Sequence, residues 1–174
     1  MINLLELISK DAPISGKLRI HYSREPVDQI KDKTDLNQAD AKPKGFWYGF
    51  GREWINYVET DHELSHKRGK YIYFVKVHNL KRVLQLNGLV DIFNFTKQYS
   101  DKWRGQYWLI NWPKVTKHYA GIEINPHSTA AQHYARNSRE LEWYRDWDVA
   151  SGCMWDVSNI STKLIFPRQT HDKP

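Results

Sequence analysis

The stretch Lys70–Val77 alternates along its length and is rich in β-branched and aromatic side chains, the pattern of a half-buried strand. A strand needs partners for its backbone N–H and C=O groups, so the rest of the chain is read first for other short extended segments. Leu18–Tyr22 follows a Pro13–Gly16 turn, Gly45–Phe50 is an aromatic run, and Val83–Leu86 and Ala120–Ile124 are short and apolar, the last ended by Asn125-Pro126. Cys153–Trp155 and Leu164–Phe166 are predicted to be closing strands. Between them lie helix-compatible patterns. Glu53–His66, Leu89–Tyr99 and Ala130–Trp143 carry helical spacing, and Pro113 suits the first position of a helix running to His118. Polar, proline-bounded Arg24–Lys44 is expected to be a long surface loop. Strands interspersed with helices define an α+β chain, and 174 residues suit a single domain spanning 1–174.

Composition narrows the setting. The chain has one cysteine, Cys153, so an internal disulfide and a cysteine-based metal site are excluded, and a reducing, cytoplasmic compartment is expected. Apolar runs such as Tyr71–Val75 are too short to cross a bilayer, and Met1–Lys10 reads as a short helix without the features of a signal peptide. A net charge of +6 favours polyanionic partners, DNA or RNA before a protein surface, although solubility explains many such charges.

Three positions carry candidate chemistry. Glu123 lies between Ile122 and Ile124 on a short strand, so its side chain points away from theirs into a sheet face or a cleft. Burial there costs several kcal/mol unless the carboxylate is paired or used; the plainer account is a solvent-facing residue. His21 has the same ambiguity, between a hydrogen-bonded structural residue and a catalytic one. Trp47, within Phe46-Trp-Tyr48, is accounted for by core packing as readily as by ligand stacking.

Read in order, His21-Tyr22-Ser23, Gly45-Phe46-Trp47-Tyr48 and Glu123 resemble the ADP-ribosyltransferase superfamily, in particular its His–Tyr–Glu branch and small phage or bacterial proteins of that type. The resemblance spans about residues 18–124. It implies a split β-sandwich of two small sheets with peripheral helices around an NAD cleft, and mono-ADP-ribosyl transfer to a macromolecule. In that scheme Glu123 accepts the ribose 2′-hydroxyl and stabilises the oxocarbenium-like state. His21 and Ser23 bind the two riboses, Tyr22 stands beside the nicotinamide amide, and Trp47 or Tyr48 stacks on the nicotinamide ring. Arg19, Arg24, Lys42 or Lys44 meets the pyrophosphate. Tyr22 departs from the small glycine usual in the family, and Trp47 from the usual tyrosine. Gly121 stands where arginine-modifying toxins have a second glutamate, which disfavours arginine as acceptor.

Other readings compete. His62-Glu63-Leu64-Ser65-His66 matches a zinc-hydrolase signature, with His118, His127 or His133 as a third ligand, or else is a solvated helix end turning at Gly69. Because Asp61, Lys67 and Arg68 make the segment strongly polar, no metal is expected. Trp103, Tyr107, Trp108 and Trp112, interleaved with Lys102, Arg104 and Lys114, are either core or base-stacking groups of a non-catalytic nucleic-acid-binding domain. Cys153 reads as a buried, inert thiol. His127, His133 and Tyr134 follow the glutamate strand and are candidates for receiving an acceptor. Trp147–Trp155 has no assigned role.

Overall fold

A computed structural model describes residues 18–30, 41–60, 71–103 and 107–167. The strands are β1 (Arg19–Ser23), β2 (Phe46–Phe50), β3 (Tyr71–Val77), β4 (Val83–Leu86), β5 (Ser100–Trp103), β6 (Tyr107–Ile110), β7 (Gly121–Ile124), β8 (Ser151–Met154) and β9 (Ile160–Pro167). The helices are α1 (Gly51–Thr60), α2 (Leu89–Tyr99), α3 (Trp112–Thr116) and α4 (Thr129–Asn137). Seven strands form one mixed sheet in the order β4-β7-β8-β2-β1-β3-β9, and β5 and β6 pair as a separate two-stranded ribbon. The protein is therefore α+β. The β4–β7 pair is parallel and the other pairs of the large sheet are antiparallel.

Alternation puts two different cores on the two faces of the sheet. Ile122, Ile124, Leu86 and Cys153 face a cluster in which Ile92, Phe95 and Tyr99 of α2, Trp112 of α3 and Ala131 and Ala135 of α4 pack with Trp143, Tyr144 and Trp147. Tyr48, Phe50, Val75, Val83 and Met154 face a smaller cluster with Ile160. The helices have local causes. Asn111 caps α3 by accepting from the Lys114 N–H, with Pro113 in its first turn, and Ser128 caps α4 by accepting from Ala131.

The expected helix over Ala130–Trp143 is shorter than its pattern. It stops at Asn137, Ser138 adopts an extended conformation (φ −142°, ψ 142°), and the chain resumes as a short 3₁₀ turn at Glu142–Tyr144. The apolar residues Leu141, Trp143 and Tyr144 are buried without continuing the helix. The β5–β6 ribbon falls where the sequence shows only an aromatic and basic cluster; the end of α2 runs straight into β5 at Ser100. Of that cluster, Trp112 is core, at 1% exposure. The start of the Glu53–His66 helix is α1, whereas the Met1–Lys10 helix, the Pro13–Gly16 turn, the middle of the Arg24–Lys44 loop and all of the His62–His66 motif lie outside the described residues. No helix among the described residues is long and apolar enough to cross a membrane.

The join between β1 and β2 positions the site. These strands share only the pairs Arg19–Phe50 and Ile20–Gly49. From there they separate: His21, Tyr22 and Ser23 pair with β3, while Phe46, Trp47 and Tyr48 pair with β8. The sheet is forked at this point. The His21 ring bridges the fork, its Nδ1 2.6 Å from the Trp47 carbonyl oxygen.

Candidate active site

The sequence-assigned residues divide into two groups on opposite sides of β2. Tyr48 turns to one face, where its hydroxyl donates to Glu123 Oε1 at 2.6 Å. Trp47, its neighbour, turns to the other, with its ring 5.1 Å from that of Trp147. Glu123 and Trp47 are thus brought to different faces of the sheet, on β7 and β2 with β8 between them.

Glu123 is 2% exposed and its carboxylate is saturated. Arg19 donates from Nε to Oε1 and from Nη2 to Oε2 (2.9 Å), Tyr48 donates to Oε1, and Gln85 Nε2 donates to Oε2 at 2.9 Å. Burial alone would raise the carboxyl pKa, but these hydrogen bonds and the Arg19 charge outweigh it and hold Glu123 below its ordinary value. Burial likewise works against the Arg19 charge, and the Glu123 contacts overcome it, leaving Arg19 raised. Tyr48 is pushed well above the usual phenol range by burial first and then by the Glu123 charge, so it stays a hydroxyl donor. Arg19, Tyr48, Gln85 and Glu123 therefore form a charge-paired pin joining β1, β2, β4 and β7.

The pin depends on a missing side chain. To reach Glu123 on β7, the Tyr48 ring lies across β8 over Gly152, where an added Cβ would stand 2.7 Å from two ring carbons. Gly152→Ala is expected to destabilise the protein by about 1–3 kcal/mol, the usual range for overpacking. Urea denaturation checks this, and a variant as stable as the parent would show that the ring has room to move.

On the opposite face, at the fork, lies a cleft of about 320 Å³ lined by His21, Tyr22, Lys42, Trp47, Trp54, Tyr57, Val58, Trp147, Asp148, Val149 and Ser151. Its walls are aromatic. Trp54 of α1 can approach β2 this closely because residue 49 is glycine; a Cβ there would sit 2.2 Å from the indole. Trp147 forms the floor, at 1% exposure, stacked with Tyr144 at an interplanar angle of 5°. Lys42 Nζ sits 6.0 Å from the centre of the Trp47 ring, a cation over an aromatic face.

His21 is the polar group in the fork. Burial, partly offset by the bond to the Trp47 carbonyl, lowers its pKa from the ordinary 6.5, so the neutral ring dominates at pH 7. A carbonyl can only accept, so Nδ1 carries the hydrogen and Nε2 keeps its lone pair as an acceptor.

Of the residues singled out in the sequence for NAD, the cleft brings together His21, Tyr22, Trp47 and Lys42. Arg19 and Tyr48 belong to the Glu123 pin instead. Ser23 donates to the Glu25 carbonyl, and Lys44, an exposed residue, is outside the cleft lining. Trp54, Tyr57, Trp147 and Asp148 line the cleft and were not singled out as binding residues. A sequence signal existed for the first two, which are aromatic and three apart on one helix face. For Trp147 and Asp148 no local signal distinguishes a cleft wall from core and surface.

The remaining candidates have other partners. Cys153 is buried, its Sγ 3.8 Å from the Pro43 carbonyl oxygen. His127 Nε2 lies 2.6 Å from the Trp147 carbonyl oxygen and its ring stacks on Tyr144. Tyr134 donates to Glu140, and His133 is exposed. Among the described residues no group of three or more His, Cys, Asp or Glu side chains is placed to hold a metal ion. No protein-family model, curated protein or solved structure matches this chain.

Proposed function

We propose that the protein is an NAD-consuming mono-ADP-ribosyltransferase that modifies a macromolecule, with the forked-sheet cleft as its dinucleotide site. The observation that carries this reading is the fork itself. A sheet whose β1 and β2 diverge beyond the Ile20–Gly49 pair, bridged by His21 and opening beside Trp47, supports the split-sandwich architecture that the His21-Tyr22-Ser23 and Gly45–Tyr48 segments imply.

The cleft chemistry suits NAD. Trp47 offers a face for a pyridinium or purine ring. Lys42 beside that face supplies a cation for the pyrophosphate, and the neutral His21 in the cleft lining, its ring packed 4.2 Å from that of Phe46, has an Nε2 acceptor for a ribose hydroxyl. In the reaction the bond from ribose C1′ to the nicotinamide nitrogen breaks. Its electron pair passes to the pyridinium ring, which leaves as neutral nicotinamide, and cationic character develops on the ribose. The acceptor's nucleophilic atom then bonds to C1′ and releases its proton to solvent. The net charge of +6 favours a nucleic-acid acceptor by electrostatic steering, with protein side chains as the other class.

The test combines calorimetric titration with NAD, chromatographic detection of released nicotinamide, and mass spectrometry of cellular nucleic acid and protein for added ADP-ribose. Trp47→Ala is expected to weaken NAD binding by about 5- to 150-fold, from loss of about 1–3 kcal/mol of stacking. Absence of NAD binding and of nicotinamide release in the parent protein would overturn the proposal. Salt-dependent nucleic-acid binding without NAD turnover would replace it with a binding module.

A further inference from the structure

We infer that Asp148 is the catalytic carboxylate of this cleft, the group that faces the ribose as it becomes cationic; the inference rests on the NAD reading above. A developing cation needs an anion held in place before the reaction begins, and a carboxylate already neutralised elsewhere does little for it. Glu123 is engaged by Arg19, Tyr48 and Gln85 on the other face of the sheet. Asp148 is the acidic residue among those lining the cleft.

Asp148 is also oriented. Tyr57 Oη donates to its Oδ2 at 3.1 Å and Gln132 Nε2 to its Oδ1 at 3.2 Å. The backbone just before it is fastened too, because the Trp147 carbonyl accepts from His127 Nε2 at 2.6 Å and from Gln132 Nε2 at 3.3 Å. Each carboxylate oxygen of this exposed residue thus takes one neutral donor and keeps a further acceptor site, enough to hold a ribose hydroxyl, and no cation among the described residues forms an ion pair with it. It shares the cleft lining with Trp47, Trp147 and His21, the residues proposed to stack on and bind NAD.

Asp148 makes no covalent bond in this scheme. The C1′–N electron pair leaves with nicotinamide, Asp148 balances the charge left on the sugar, and the acceptor supplies the new bond. Its contribution therefore belongs to the transition state more than to NAD binding.

The deciding experiment is steady-state nicotinamide release together with direct NAD binding for the parent, Asp148→Asn and Asp148→Glu. Asparagine preserves shape and an acceptor oxygen but removes the charge. The expected result is a fall in kcat of about 10²–10³-fold in Asp148→Asn, in line with loss of a preorganised electrostatic group. NAD affinity and thermal midpoint should stay close to the parent's, and Asp148→Glu should recover part of the rate. A merely structural residue would move the midpoint or the affinity instead. If the parent releases nicotinamide and Asp148→Asn matches its kcat, the assignment to Asp148 is overturned while the NAD reading stands. If the parent neither binds nor turns over NAD, both are overturned together.

Discussion

Glu123→Ala is expected to lower folding stability by about 3–5 kcal/mol, the loss that follows when one partner of a buried ion pair is removed. The Arg19 side chain is 18% exposed, so the guanidinium left behind has little access to water. Tyr48, at 0% exposure, and Gln85 also lose their acceptor. Urea denaturation of the parent, Glu123→Ala, the single Arg19→Met and Glu123→Met variants and the paired Arg19→Met/Glu123→Met variant would measure this. The paired variant should lose less than the sum of the single Arg19→Met and Glu123→Met changes, because no unpaired charge remains. A Glu123→Ala protein as stable as the parent would mean the pin contributes nothing.

The same residue sets a pH dependence. In the folded protein Glu123 titrates below its ordinary value of 4.5: burial favours protonation, but the bonds from Arg19, Tyr48 and Gln85 prevail. As pH falls below that value, the unfolded chain takes up the proton first. The stabilisation is therefore complete above about pH 4.5 and drains as pH falls through the lower folded pKa. Asp101, held low by Lys114 and Asn111, and Asp156, held low by Ser158 and Arg82, add to the same acid limb. Stability measured from pH 7 down to pH 3 should show a shallower limb in Glu123→Gln than in the parent, with the remaining slope due to those aspartates.

Trp147→Ala should have a loss of comparable size and a different functional signature. Trp147 is 1% exposed, and its ring meets Trp47 at 5.1 Å, Trp143 at 6.0 Å and Tyr144 at 6.5 Å. Truncating a buried tryptophan to alanine costs about 3–5 kcal/mol in transfer and cavity terms. Among the described residues its Nε1 has no hydrogen-bond partner, so the cost is one of volume and contact, and Trp147→Phe should recover much of it. The same change removes the cleft floor. In the folded fraction, Trp147→Ala should therefore lose NAD binding, whereas Glu123→Ala, altered on the other face, should keep it. Denaturation and calorimetric titration of both variants separate the two roles. Retained NAD affinity in Trp147→Ala would place the ligand elsewhere.

Much of the secondary structure is legible because it is written in local periodicity. Leu89–Tyr99 is a helix with those bounds, and the described part of Lys70–Val77, from Tyr71 on, is a strand. The helix over Ala130–Trp143 misleads because buried Trp143 and Tyr144 continue the apolar spacing after the helix has ended. Their burial is set by packing against α2 and Trp112 and says nothing about local backbone geometry.

The sequence by itself determined that this is an α+β chain, that Glu123 sits among buried strand residues, and that His21, Tyr22 and Trp47 belong to neighbouring extended segments. What it left open was the partner of each. Glu123 meets Arg19 across 104 residues and Tyr48 across 75, and the pairing of that carboxylate was set by strand order. The fork between β1 and β2, and the meeting of Asp148 with Trp47 in one cleft, were likewise decided only by the tertiary structure. Periodicity reports which way a side chain points from its own backbone; what lies in that direction depends on segments of chain whose approach no local pattern encodes.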